Sequence, residues 1–150
     1  MTDATPDVPP TGKLLGLDLG TKTIGVAVSD GMRYSATPLE TIQRSKFTAD
    51  AARQLELIEE NAAVALVLGL PLNMDGTEGP RVQSTRAFAR NLSQKTPLPI
   101  LFWDERLSTS AVTRMLIEAD TRRDKRAEVV DKLAASYILQ GFLDRLRINP

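Results

Sequence analysis

The chain has 150 residues, 42% hydrophobic and 25% charged, with 19 basic and 19 acidic side chains and neither histidine nor cysteine. That length and balance suit one soluble globular domain, and no apolar stretch approaches the roughly 20 residues of a membrane span. Without histidine or cysteine there is no Ser-His-Asp triad, no thiol nucleophile, no imidazole base and no zinc site of the usual kind.

Met1 to Gly12 is polar and Pro-rich. It lacks a basic segment followed by an apolar one, so it does not read as a signal peptide. Residues 1–12 are expected to be a disordered extension, 13–150 a single domain, and the protein cytoplasmic. Leu14–Leu19 and Ile24–Ser29 read as a hairpin of strands, and Ser35–Gln43, with Pro38, as an edge strand. Thr48 is a candidate cap for a helix to about Asn61, with Ala51, Leu55, Ile58 and Ala62 on its apolar face. Val64–Gly69 is a continuous apolar run, as in a parallel strand buried on both faces. A turn-rich loop, Asn73–Pro80, leads into a helix with Val82, Thr85, Phe88 and Leu92 inward that stops before Pro97. Pro99–Trp103 reads as another buried strand, with Trp103 in the core. Ser108 or Thr109 caps a further helix to about Glu118, Ala119–Glu128 reads as a charged, mobile connection, and a last helix runs from about Val130 to Leu146. Three antiparallel strands followed by alternating strands and helices predict an α/β fold: a mixed five-stranded sheet with helices on both faces.

Asp18 interrupts an apolar strand. An uncompensated carboxylate buried there costs several kcal/mol or more, so it needs a cation or a basic partner, unless it sits in the hairpin turn. Gly16 and Gly20 lie at i−2 and i+2 on its own face, leaving that face bare for close approach. Two other acidic positions stand at element ends: Asp104-Glu105 after the last strand, and Asp131 at the start of the last helix. Functional groups of α/β sheets gather at strand ends. Carboxylates converging there repel unless cations lie between them, and oxygen ligands suit Mg²⁺ or Mn²⁺. Two such ions can activate water and stabilise the leaving oxygen in phosphodiester cleavage.

These segments resemble a known family. Leu17-Asp18-Leu19-Gly20-Thr21-Lys22-Thr23-Ile24-Gly25-Val26-Ala27-Val28 is similar to the opening motif of the YqgF (RuvX) family. Val67-Leu68-Gly69-Leu70-Pro71-Leu72-Asn73-Met74-Asp75-Gly76-Thr77 resembles its second motif, Asp104-Glu105-Arg106-Leu107-Ser108-Thr109 its third, and Asp131-Lys132-Leu133-Ala134-Ala135-Ser136-Tyr137-Ile138-Leu139 its fourth. The resemblance implies an RNase H-like fold and a cytoplasmic, metal-dependent nuclease that matures the 5′ end of precursor 16S ribosomal RNA. It also implies Asp18, the Asp104-Glu105 position and Asp131 as metal-binding, catalytic acids. RuvC-type Holliday-junction resolvases, acting on branched DNA, are the neighbouring activity.

Adjacent strand residues face opposite sides, so Asp104 and Glu105 do not both reach the site unless the strand has ended. Glu105, with the longer reach, is favoured, leaving Asp104 a supporting group. Asp131 has a second reading as an acid that stabilises a helix N-terminus.

The basic residues point to a nucleic-acid partner. From Arg81 onward 13 basic residues face 8 acidic ones, whereas the first 80 residues carry 6 against 11. Lys22 in the turn, Arg81 with Arg86 and Arg90 on the helix after Pro80, and the cluster Arg122, Arg123, Lys125 and Arg126 are the candidates for phosphate, each with an ordinary solvated-surface alternative. Arg106 either meets the scissile phosphate or pairs with a neighbouring carboxylate. The sequence leaves two rival functions. Asp-x-Gly-Thr also opens the phosphate-binding hairpin of sugar kinases and actin-like ATPases, which need two such domains and so a longer chain. A non-catalytic nucleic-acid-binding module would have no use for clustered carboxylates.

Overall fold

A computed structural model describes residues 8–107 and 123–148, with side chains at 8–107 and 132–147. In chain order the elements are β1 (Lys13–Leu19), β2 (Thr23–Ser29), β3 (Ala36–Gln43), α1 (Phe47–Asn61), β4 (Ala63–Leu70), α2 (Pro80–Ser93), β5 (Ile100–Asp104), a 3₁₀ turn (Glu105–Leu107) and α3 (Arg123–Ile148). The strands form one mixed sheet in the order β3-β2-β1-β4-β5. β1 is antiparallel to β2, and β2 to β3; β1 runs parallel to β4, and β4 to β5. The hairpin and the two strand–helix crossovers expected from the sequence are therefore present. β1 lies at the centre because β2 covers one of its edges and β4 the other.

Side-chain alternation sorts the sheet into two faces. On one, Leu15, Leu17 and Leu19 join Leu66 and Leu68 against Ala51 and Leu57 of α1 and Phe88 and Leu92 of α2. On the other, Leu14, Ala65, Val67 and Trp103 pack on Ala135, Ile138, Leu139 and Leu143 of α3. Each fully buried leucine contributes about 1.5–3 kcal/mol by leaving water. The doubly apolar runs of β1 and β4 follow from helices on both faces. Val8 packs at the rim of the α3-side cluster.

Several details differ from the sequence expectations. The residue preceding α1 is Lys46, without a side-chain cap, so Thr48 does not cap that helix. Its buried residues are Asp50, Ala51, Gln54 and Leu57; of the expected face Ala51 is buried and Ile58 packs on the core, whereas Leu55 is only half-buried and Ala62 is exposed. Asp50 turns inward because its carboxylate accepts the Ser45 N–H at 3.1 Å, just before the helix. Ala62 leaves the helix in the left-handed region, φ 52°, where its N–H meets the Ile58 and Glu59 carbonyls. β5 is half-buried rather than buried, with Phe102 36% exposed; among the described residues only β4 pairs with it. α3 begins at Arg123, so the charged run to Glu128 is helical at least from there. Arg, Lys, Ala and Glu are good helix formers even without an apolar face. The helix expected from Ser108 or Thr109 to Glu118 lies outside the described residues.

Gly16 sets how closely α3 approaches the sheet. A Cβ there would lie 2.7 Å from the Leu139 Cβ and 3.1 Å from the Ala135 carbonyl oxygen. Both are tied to the helix backbone and cannot swing aside. Gly16→Ala should therefore destabilise the fold by about 1–3 kcal/mol as an overpacked site, measured by urea denaturation. Unchanged stability would contradict this packing.

Candidate active site

Asp18 is 1% exposed, in the central strand, paired across β2 with Gly25. Leu14 and Gly16 face α3, so alternation places Asp18 on the α3 face as well. Cross-strand partners share a face, so Gly25 stands on the same face as the carboxylate. Gly20, after the strand, donates its N–H to Thr23 across the hairpin turn at 2.8 Å. The structure thus puts Asp18 in the strand rather than in the turn.

Glu105 reaches the same face from the far side of β4. β5 alternates with Ile100 toward the α1/α2 cluster and Trp103 toward α3. The strand ends at Asp104, and Glu105 opens the 3₁₀ turn with its side chain inward, 7% exposed. Asp104 faces the other way. Its carboxylate accepts Nε and Nη2 of Arg106, the latter at 2.7 Å, and the Arg106 backbone N–H at 2.9 Å. That hydrogen-bonded guanidinium holds the Asp104 carboxyl below the ordinary range, burial opposing.

Gly69 separates the two acids. It follows Leu68, the β4 partner of Leu17, and so lies beside Asp18 in the register. A Cβ on Gly69 would lie 2.5 Å from Ile138 Cδ1 and 2.8 Å from Glu105 Oε2. The space a side chain would take is shared by the end of Ile138 and the Glu105 carboxylate. Sequence reading missed this role. Its only trace was a glycine closing an apolar strand, which also reads as a plain strand end.

Asp131 lies within α3, one turn before Ala135, but its side chain is outside the described residues. Among the described residues no group of three acidic side chains is close enough to hold a metal ion. Two oxygen donors, Asp18 and Glu105, are present on one buried face at the carboxyl ends of parallel strands. In their chemistry they fit a hard divalent cation such as Mg²⁺.

The basic candidates divide. Lys22 is exposed in the hairpin turn. Arg81 is exposed at the start of α2 and donates Nη2 to the Leu19 carbonyl at 3.0 Å, one residue from Asp18. Arg86 pairs with Glu78 at 2.7 Å and lies over the Phe102 ring at 5.2 Å. Arg106 pairs with Asp104. The side chains of Arg122, Arg123 and Lys125 are outside the described residues.

Gly69→Ala should leave the chain folded and turn the Glu105 carboxylate away from β4. A crystal structure of the variant checks this, and Glu105 in an unmoved position would contradict the packing.

The comparisons with known proteins agree with this architecture. The family model RuvX, described as Holliday junction resolvase, matches residues 12–145. A relative from Paracoccus denitrificans (strain Pd 1222), named "Putative pre-16S rRNA nuclease", is 68% identical over 140 residues, 93% of this chain and 89% of its own. One of the same name from Methylocella silvestris is 63% identical over 147 residues, 98% and 91% of the two chains. Among solved structures, Thermus thermophilus RuvC in complex with Holliday junction substrate aligns with a TM-score of 0.56 at 15% identity, over 91% of this chain and 96% of that one. Fowlpox virus resolvase in its Holliday junction DNA complex gives 0.52 at 13%, over 89% and 98%. The fold is RNase H-like, of the RuvC kind, and the chain belongs to the RuvX family of nucleases.

Proposed function

We propose that this protein cleaves phosphodiester bonds in precursor 16S ribosomal RNA, and that Asp18, Glu105 and Asp131 hold the Mg²⁺ or Mn²⁺ ions the reaction needs. The observation that carries the reading is the pair of buried carboxylates, Asp18 and Glu105, on one face on either side of a glycine. The substrate follows from the names of relatives that share about two-thirds of their residues with this chain. Asp131 is assigned by position: three helical residues separate it from Ala135, which packs over Gly16.

Divalent ions held by such acids activate a water molecule and stabilise the leaving oxygen. The protein's own part is to fix the ligands before substrate arrives. β1 fixes Asp18 through its neighbours on both sides. The 3₁₀ turn fixes Glu105, and α3 closes the site from above. Low dielectric around the acids strengthens every charge interaction inside the site. Arg81, exposed and held against the Leu19 carbonyl, is the candidate to meet a phosphate of the bound strand. Branched DNA is the second reading, favoured by the family model's description. Side-by-side cleavage of precursor ribosomal RNA and a four-way DNA junction decides between them: preferred RNA cleavage is expected, and junction cleavage alone would overturn the RNA assignment.

Cleavage is expected with Mg²⁺ or Mn²⁺, little with Ca²⁺, whose ligand shell is larger and longer, and none with chelator. Asp18→Asn should lower kcat at least about a hundredfold, or about 2.7 kcal/mol, while RNA binding persists. Full activity of that variant would refute the metal assignment. RNA affinity should also fall steeply with salt as counterions are released. Charge reversal at Arg122, Arg123 and Lys125 should flatten that salt slope and weaken binding to all sequences alike, because phosphate contacts position without specifying. An unchanged slope in a salt titration would assign the cluster to ordinary solvated surface.

A further inference from the structure

The loop between β4 and α2 is built as a stiff unit. Asn73 N–H donates to the Thr77 carbonyl at 3.0 Å, and Gly76 N–H to the Asn73 carbonyl at 2.8 Å. The Asn73 amide donates to the Thr77 hydroxyl at 2.9 Å, which in turn donates to Asp75 at 2.6 Å. Gly76 sits at φ 89°, in the left-handed region, and turns its bare Cα to Arg106: a Cβ there would lie 3.4 Å from Nη1. Arg106 Nη1 donates to the Met74 carbonyl at 3.3 Å, while Nε and Nη2 grip Asp104. One planar guanidinium thus joins the loop to the end of β5, a geometry a lysine cannot reproduce.

The two residues that form this grip flank Glu105 in sequence. The Arg106 backbone N–H also closes onto Asp104, at 2.9 Å. The 3₁₀ turn is thereby fixed with Arg106 outward and Glu105 inward against Gly69. The same loop begins just after Gly69 and ends at α2, whose Arg81 touches the end of β1. We propose that Arg106 is a positioning residue: with Asp104 it latches the 73–77 loop to the end of β5 and so holds the Glu105 carboxylate in the site. This rests on the proposed nuclease reading for its catalytic consequence, though not for the latch itself. The alternative role is direct contact with the scissile phosphate, for which two of the five guanidinium N–H donors remain. The pair is half-exposed, 34% and 20% by side chain, and adds little to global stability. Its effect is local.

The test uses the full chain and the variants Arg106→Lys, Asp104→Asn and the two combined. Amide hydrogen exchange at Gly76 and Thr77, without metal or RNA, should quicken about tenfold in each variant, with thermal stability little changed. In cleavage of precursor ribosomal RNA, kcat should fall about tenfold while KM stays within threefold. The double variant should be no worse than either single one, as expected of one device. Unchanged exchange at the loop would overturn the latch. So would loss of activity in Arg106→Lys with full activity in Asp104→Asn, the pattern of a direct phosphate contact. If the wild type cleaves no nucleic acid, the nuclease reading fails, and the exchange arm still decides the latch.

Discussion

A carboxylate held 1% exposed in the central strand of the sheet is the constraint around which the other features fall into place. Burying Asp18 among leucines opposes folding by several kcal/mol unless the charge is compensated. Apolar packing on both faces of β1 and β4 secures the strand that carries it. Glycines stand close to the acid, Gly16 and Gly25 on its own face and Gly69 on the next strand. Small residues there let α3 lie close and let a second acid, Glu105, enter from β5. The same features that make the core dense thus put two buried acids on one face of the sheet. That arrangement has a physical use when a cation is shared between them.

Much of this was legible in the residues. The runs of β1 and β4 are continuous and apolar because helices cover both faces, so Asp18 stands out in the sequence as it does in the fold. Pro80 at the start of α2, with Val82, Thr85, Phe88 and Leu92 inward, matched the helical period. The choice between Asp104 and Glu105 depended on where β5 stops, and the strand ends one residue before the inward acid. Edge exposure of β5 was not legible, since Ile100–Trp103 is as apolar as a buried strand. Nor was the inward turn of Asp50 and Gln54 in α1, where the Asp50 carboxylate accepts the Ser45 N–H.

The contacts least visible in the sequence are those that cross elements. Gly69 meets residues from the 3₁₀ turn and from α3 at once, and no local pattern announces a shared vacancy. Arg106 reaches a carbonyl 32 residues earlier in the chain. The sequence offered Arg106 two partners, a phosphate or a carboxylate, and the structure engages the carboxylate. Two motifs that are separate in sequence, the 73–77 loop and the acid-bearing turn, are in this way one physical unit.

The central claim is that Asp18 and Glu105 are ligands of one divalent site. A crystal structure of the full chain soaked in Mn²⁺, with anomalous scattering recorded, tests it most directly. An anomalous peak is expected on the α3 face at about 2.1 Å from an oxygen of each carboxylate, lost in Asp18→Asn. A peak elsewhere, or a site that survives the loss of Asp18, would contradict it.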